Sequence, residues 1–293
     1  MIYEHIICRE LVDKGWSGDL KYRAYTDDGQ AYLLRISPIE KKDRRAGELA
    51  RMEQVCALGI PMCDPYEFGI CDDGVYQILR WIHGEDAEPL IPTLPTEKQY
   101  AYGLDAGRIL SKLHTLLPTP GIPEWEEKFN AKIDRKIAAY EACPLKYEDG
   151  EAFLRFLSEN RRLLRNRPQT YQHGDYHVGN MMIDKNGVLT IIDFDRDDSG
   201  DPWEEFNRIV WCAQTSPAFA SGMVDGYFSG DVPEAFWRLL ALYISSNALS
   251  SLPWAIPFGE TQIRVMQQQS KEILSWYDNM CQVIPAWYQG CNH

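Results

Sequence analysis

The feature that most constrains this chain is a change of periodicity near Gly84. Before it, apolar residues come in short β-rich runs; after it they recur at helical spacing. Residues 19–26 and 31–37 are rich in β-formers and flank Asp28-Gly29, a hairpin signal. Residues 74–82 form a third run after a Cys71-Asp72-Asp73-Gly74 turn. Residues 39–58 interleave charge with Leu49, Met52 and Cys56 at helical spacing, and Gly59 and Pro61 stop that helix. Beyond Gly84, Ala106, Ile109, Leu110, Leu113 and Leu117 make one amphipathic stripe, and Trp125, Phe129, Ile133, Ile137 and Tyr140 make another. Asp231 is placed to cap a later helix, with Pro233 in its first turn and Phe236, Leu239, Leu240 and Tyr243 on its buried face. A last helix carries Ile263, Met266, Ile273, Trp276, Tyr277 and Met280. Only residues 169–193 interrupt the helical part with strand-like sequence. The pattern predicts an α+β chain: a small antiparallel sheet with one helix over residues 1–84, and a larger, mainly helical lobe over residues 85–293.

With 293 residues, the chain can bury a large core. No basic, apolar leader opens it, and no run approaches the roughly 18 apolar residues of a membrane span. The eight cysteines are scattered without a C-x-x-C pair, as reduced thiols of a cytoplasmic protein are. A formal charge of −13 opposes nucleic acid, whose phosphates it would repel. The same excess of acid suits a cationic ligand, and equally suits plain solubility.

The segment Tyr171-Gln172-His173-Gly174-Asp175-Tyr176-His177-Val178-Gly179-Asn180 leads into a second hairpin signal at Asn186-Gly187. If that pair is a two-residue turn, Lys185 faces Val188, Ile183 faces Thr190, Met181 faces Ile192, and Asn180 falls opposite Asp193. An amide oxygen and a carboxylate then meet at the hairpin mouth, hard donors that suit Mg²⁺ with phosphate as a further ligand. Asp175 lies five residues before Asn180, between Gly174 and Gly179, where a carboxylate near the metal can accept a proton from a hydroxyl. Base, amide and carboxylate are the parts that phosphoryl transfer needs. Two other readings compete. His173-x-Asp175-x-His177 alternates as metallohydrolase ligands do, but His5, His83, His114 and His293 stand alone. An incidental loop, with Asn180 and Asp193 as turn and capping residues, is the blandest reading.

His173-x-Asp175-x-x-x-x-Asn180, with Asp193 thirteen residues on, resembles the catalytic loop and metal-binding aspartate of the aminoglycoside phosphotransferase and choline kinase superfamily. The run from His173 to Asn180 is close to that family's H-G-D-x-H-x-G-N form, and Gly200-Asp201-Pro202 matches its G-D-P segment. The resemblance implies a bilobal protein-kinase-like fold, with Asp175 as catalytic base and Asn180 and Asp193 as magnesium ligands. It implies ATP as phosphoryl donor, with GTP not distinguished.

On the nucleotide side, Asp28-Gly29 as a two-residue turn would place Ala24, Leu33 and Arg35 on one face, apolar first and cationic at its end. Arg35 stands where the kinase fold usually has lysine, and the two cations are not equivalent. By resemblance Glu48 is the carboxylate that pairs with this cation, with Glu53 as competitor. The loop Lys14-Gly15-Trp16-Ser17-Gly18-Asp19 is placed to cover phosphates through Ser17 and backbone N–H groups, although a plain turn fits it equally. Arg80, Trp81 and Ile82 end the last strand, so their backbone is the expected hinge contact for the base. His114, at the end of a helical stripe, is read as a core histidine without a role.

The resemblance implies a small-molecule hydroxyl compound as acceptor. Asp197, Asp198, Glu204 and Glu205 are placed to meet a polyamine, to cap helices, or to pair with Arg196 and Arg208. Tyr227, Trp237, Tyr243, Trp254 and Trp276 suit a sugar or quaternary amine, or simply core filling. The readings compatible with the resemblance are an aminoglycoside kinase conferring antibiotic resistance, a metabolic kinase for choline, homoserine or a sugar, a protein Ser/Thr kinase, and a nucleotide-binding pseudokinase. Intact Asp175, Asn180 and Asp193 oppose the pseudokinase. A helical insert over residues 122–165 opposes a protein substrate.

Overall fold

In the computed structural model, which describes residues 1–13 and 18–290, three-residue turns closed by a left-handed glycine set the register of two hairpins. The first joins β2 (Leu20–Thr26) to β3 (Ala31–Ser37). Gly29, with φ of 80°, donates to the Thr26 carbonyl at 2.9 Å, and Thr26 N–H donates to Gln30 O at 3.0 Å. The Asp28 carboxylate holds the extra residue, accepting from Thr26 Oγ1 at 2.6 Å and from Gln30 N–H at 3.2 Å. The pairs become Ala24 with Tyr32, Arg23 with Leu33, and Lys21 with Arg35, one residue away from those of a two-residue turn. Such a slip moves side chains to the other face. Ala24 therefore joins Leu34, Ile36, Tyr76 and Ile78 in the buried core, and the expected shared face of Ala24, Leu33 and Arg35 does not form.

The second hairpin repeats the device between β8 (Met181–Asp184) and β9 (Leu189–Ile191). Asp184 Oδ1 accepts from Asn186 N–H at 2.8 Å and Val188 N–H at 2.9 Å, so the turn begins a residue earlier than Asn186-Gly187 alone suggests. Met181 pairs with Ile191, and Ile192 N–H donates to Asn180 O at 3.0 Å. Asn180 thus faces Ile192, and Asp193 lies one step further along the chain rather than opposite it.

Two compact units result. The first comprises Met1–Ala87 and Asn180–Asp197. Its five-stranded antiparallel sheet runs β1-β2-β3-β5-β4, with β1 (Ile6–Leu11) and β4 (Pro65–Cys71) as edges and β5 (Gly74–Arg80) inside. Neither edge strand is signalled by the sequence pattern: β1 is almost wholly exposed, and β4 carries Pro65 and Gly69, which weaken a strand signal. Helix α1 (Lys42–Ala57) turns Arg45, Glu48, Met52 and Val55 inward. Gly84, where the periodicity of the sequence changes, begins β6 (Gly84–Asp86), which pairs with β8. A Cβ on Gly84 would come within 2.2 Å of the Ile183 carbonyl oxygen, so the hairpin of β8 and β9 is built against this glycine.

The second unit comprises Glu88–Gly179 and Asp198–His293. The short helix α2 (Ala87–Leu90) leads into α3 (Thr96–Leu113), α4 (Trp125–Ala142) and α5 (Glu151–Asn160). After the two-stranded pair β7 (Thr170–Gln172) and β10 (Asp198–Gly200) come α6 (Ile209–Thr215), α7 (Pro217–Phe228), α8 (Glu234–Ala255) and α9 (Glu260–Trp276). Leu117 lies beyond the end of α3 and is 86% exposed, so it leaves the expected stripe. Helix α8 begins after Pro233 without a side-chain cap, so Asp231 does not cap it. The stretch Glu234–Phe258 is long and apolar enough by length and composition to cross a membrane, contrary to the expectation from sequence; two thirds of its most apolar window is buried, as in a core helix.

Helices α3 and α7 touch backbone to backbone. A Cβ on Gly103 or Gly107 would sit 2.1 Å from the Phe219 or Met223 carbonyl oxygen, and one on Gly222 or Gly226 would sit 2.2 Å from that of Tyr100 or Leu104. Deeper in the unit, fully buried Asp201 accepts both Arg167 Nε at 2.6 Å and Tyr243 Oη at 2.6 Å. The Arg167 guanidinium lies over the Trp203 ring at 3.9 Å.

Gly103→Ala or Gly226→Ala is expected to cost about 1–3 kcal/mol through overpacking. Arg167→Ala, which leaves the buried Asp201 carboxylate without its countercharge, is expected to cost about 3–5 kcal/mol. Urea denaturation checks both, and midpoints equal to the parent's would contradict the packing described.

Candidate functional site

In the second unit, β7 delivers the chain into His173-Gly174-Asp175, and a buried carboxylate fixes the backbone of this loop. Glu205, 2% exposed, accepts from His173 N–H at 2.7 Å and from Gly174 N–H at 2.9 Å, one on each oxygen. Gly174 has φ of 84°, a conformation that favours glycine. His114 is buried beside this clasp, with Nε2 3.7 Å from Glu205 Oε2 and Nδ1 2.9 Å from Tyr227 Oη. His114 is the core histidine expected from the sequence, while Glu205, expected to meet a polyamine, cap a helix or pair with an arginine, instead holds the backbone of the loop.

Asp175 keeps its carboxylate partly open, with Arg208 Nε 3.2 Å and His177 Nε2 3.8 Å from Oδ1. His173 is fully buried, and its Nδ1 accepts from Asp175 N–H at 3.3 Å. His177 Nδ1 accepts from Gly179 N–H at 3.1 Å. Both imidazoles thus serve the backbone of their own loop, and among the described residues no group of three His, Cys, Asp or Glu side chains is arranged to hold a metal.

Asn180 and Asp193 belong to the first unit, at the open end of the β8–β9 hairpin. Asp193 has φ of 66°, a left-handed backbone that costs a non-glycine residue about 1–3 kcal/mol and that clusters at functional sites. This turn takes the chain out of the ladder immediately after Ile192. Two residues on, Asp195 receives Arg35 Nη2 at 2.5 Å, while Arg35 Nε donates to Asp19 at 3.0 Å. Burial pushes the Asp195 carboxyl up, but the charges of Arg35 and Arg45 outweigh it and hold the group below its ordinary value. Burial likewise pulls Arg35 down, and Asp195, Asp19 and Asp193 more than offset it. The guanidinium stays charged.

Glu48 is 3% exposed but does not pair with Arg35. It accepts Arg44 Nε at 2.8 Å and Arg45 Nη1. Asp19 accounts for the difference: it binds Arg35, Arg45 and Lys41 together, leaving Arg45 to bridge towards Glu48. Glu53, the competitor, is exposed. Sequence reasoning missed Asp19 and Asp195 as partners, although the run of acids from Asp193 to Asp198 was the available signal.

Arg80 closes β5 opposite Tyr32, with its N–H on Asp64 O at 2.8 Å. Trp81 carries the Arg23 guanidinium 5.1 Å above its ring, and Ile82 is buried. The expected hinge therefore lies between the end of the large sheet and β6. Ser17 lies outside the described residues.

The four acids offered to a polyamine are already engaged. Asp197 binds Arg51 at 3.0 Å, Asp198 binds Lys128 at 3.0 Å, and Glu204 binds Lys132 at 3.0 Å, while Glu205 holds the loop. Arg208 is on Asp175. Of the aromatic residues, Trp237 and Tyr243 are buried, Tyr227 and Trp276 are half-buried, and Trp254 is exposed.

The model of the phosphotransferase enzyme family matches residues 9–239. Among solved structures, a choline/ethanolamine kinase family protein from Mesorhizobium loti is 17% identical, covers 92% of this chain and 90% of its own, and has a TM-score of 0.66. A thermostable mutant of an aminoglycoside phosphotransferase in complex with ADP and hygromycin B is 15% identical, with 93% and 96% covered and a TM-score of 0.66. An amicoumacin kinase in complex with AMP-PNP, Ca²⁺ and Ami is similar at 14% identity, with 98% and 93% covered and a TM-score of 0.66. No curated protein matches the sequence. At these identities the structural likeness shows the fold, which is the protein-kinase-like α+β fold expected from the sequence. The family match spans well over half of the sequence and includes the catalytic-loop motif, so the chain belongs to the phosphotransferase enzyme family.

Proposed function

We propose that this chain is a cytoplasmic small-molecule kinase that transfers the γ-phosphoryl group of ATP to a hydroxyl group with the help of Mg²⁺. The observation that carries the reading is the loop of Asp175, held through two backbone N–H groups by buried Glu205 and leading within five residues to Asn180. Solved relatives of this fold were captured with ADP, with AMP-PNP and Ca²⁺, and with GDP, which supports a nucleotide as the donor here.

Asp175 acts as the base. Its carboxylate is partly open, and its bond to Arg208 orients it towards an incoming hydroxyl, whose proton it accepts. Asn180 and Asp193 supply an amide oxygen and a carboxylate, a donor set that fits a hard divalent cation. Bound there, Mg²⁺ would neutralise phosphate charge, the principal demand of phosphoryl transfer. Arg35 is the cation that would meet the nucleotide phosphates, its guanidinium held in place by Asp19 and Asp195. The backbone of Trp81 and Ile82 receives the base of the nucleotide. Glu48 acts at a distance, by holding Arg45 and through it Asp19 beneath Arg35.

Asp175→Ala is expected to lower kcat by about 10²–10⁴-fold, with the KM for nucleotide little changed. Asp193→Ala is expected to abolish turnover and its Mg²⁺ dependence. Nucleotide consumption with ATP or GTP, measured against a mixed panel of hydroxyl acceptors, checks both. Near-parental turnover in either variant would remove the roles assigned.

A further inference from the structure

Helix α4 buries Trp125, Phe129, Ile133 and Tyr140 along one stripe. Lys136 falls on that stripe, three residues after Ile133 and four before Tyr140, where an apolar side chain would be expected. It is half-buried, and among the described residues its ammonium has no hydrogen-bond or ion-pair partner within reach. Its charged neighbours are Lys132, Arg208 and Glu204. Glu204 is already bonded to Lys132 at 3.0 Å, and Arg208 to Asp175 at 3.2 Å. Lys132, Lys136 and Arg208 are thus three cations against two carboxylates, Glu204 and the base Asp175, and Lys136 is the one left over. Burial, with the repulsion of Lys132 and Arg208, pulls its ammonium down to about 7.

An uncompensated ammonium on a helix's buried stripe is costly without a ligand, and an anion is the ligand that would offset it. A polyamine would meet the opposite situation. The four acids expected to receive it are engaged, and Lys132, Lys136 and Arg208 would repel it. We propose that the acceptor carries an anionic group, a carboxylate or a phosphate, which binds Lys136 with support from Arg208 while its hydroxyl is presented to Asp175. This inference rests on the kinase reading and narrows it to hydroxy acids and phosphorylated polyols.

Three measurements test it. The first compares turnover of glycerate, gluconate and glycerol 3-phosphate with that of glycerol, glucose, choline and kanamycin. An anionic acceptor is expected to be preferred, and Lys136→Met to raise its KM at least tenfold with kcat changed far less. The second acetylates the intact protein with an N-hydroxysuccinimide ester near pH 7.5 and reads Lys136 by peptide mass spectrometry. Lys136 is expected to react ahead of the other lysines and to be protected by the anions that bind. The third follows the melting temperature. Because the folded value of about 7 lies below the ordinary 10.5, the parent loses stability as pH falls from 10.5 to 7. Lys136→Met is therefore expected to melt higher, with a gain that is full below pH 7 and fades as pH rises towards 10.5.

Turnover confined to neutral or cationic acceptors, with an unchanged KM in Lys136→Met, overturns the inference. So does the absence of both turnover and protection with every anion. Protection of Lys136 by an anion without phosphorylation of any acceptor would uphold the anion site and remove the kinase reading instead.

Discussion

The first unit depends on how a buried guanidinium is neutralised. Arg35 is 6% exposed, and a lone charge at that depth would be prohibitively costly. Asp19 and Asp195 neutralise it from two directions, one ahead of β2 and one after the β8–β9 hairpin. Sequence positions 160 residues apart are tied at a single side chain. Arg44 adds a bond to the Asp195 carbonyl oxygen at 2.8 Å, so α1 grips the same segment. The left-handed turn at Asp193 lies between this anchor and the hairpin ladder. Its backbone is held from both ends, which is the condition under which such strain persists.

The second unit solves the corresponding problem with backbone donors. A tight loop leaves N–H groups that no strand or helix satisfies, and Glu205 takes two of them from inside the core. Glu205 lies in a turn that comes after Asp201, itself fixed by Arg167, Trp203 N–H and Tyr243. The G-D-P segment is thus a second anchor for the loop that carries Asp175. Arg208, one turn beyond Glu205, reaches that carboxylate from the same short segment. Scaffold and orienting contact come from one stretch of chain.

Much of this was legible in the sequence because local signals agreed with the global fold. Strand propensity, helical stripes and the H-G-D-x-H-x-G-N run located β2, β3, β5, the main helices and the residues proposed for catalysis. The misreadings have one physical origin in several places: side-chain bonds that propensity does not count. Asp28 and Asp184 each capture backbone N–H groups and lengthen a turn by one residue, which shifts two registers and moves Ala24 into the core. Asp19 intercepts Arg35 and so diverts Glu48 to Arg45. Such partners are distant in sequence or compete with a familiar turn, and neither spacing nor composition identifies the winner. Gly84 was recognised as a boundary, but the need for a residue without a Cβ arises from Ile183, a hundred positions away in the sequence.

Charge shows the same limit. A net −13 describes the whole surface and its solubility, whereas a ligand is bound by groups a few ångströms away. Within the second unit the local balance around Asp175 is cationic, because the nearby acids are consumed by Lys132, Lys128 and the loop itself. Only the pairing of individual groups separates a carboxylate that can greet an amine from one that already holds an arginine. The same accounting makes Lys136 informative: on the exposed face of α4 it would be an ordinary solvated lysine, whereas on the buried stripe, with Glu204 already taken by Lys132, its charge is one that a bound anion would stabilise.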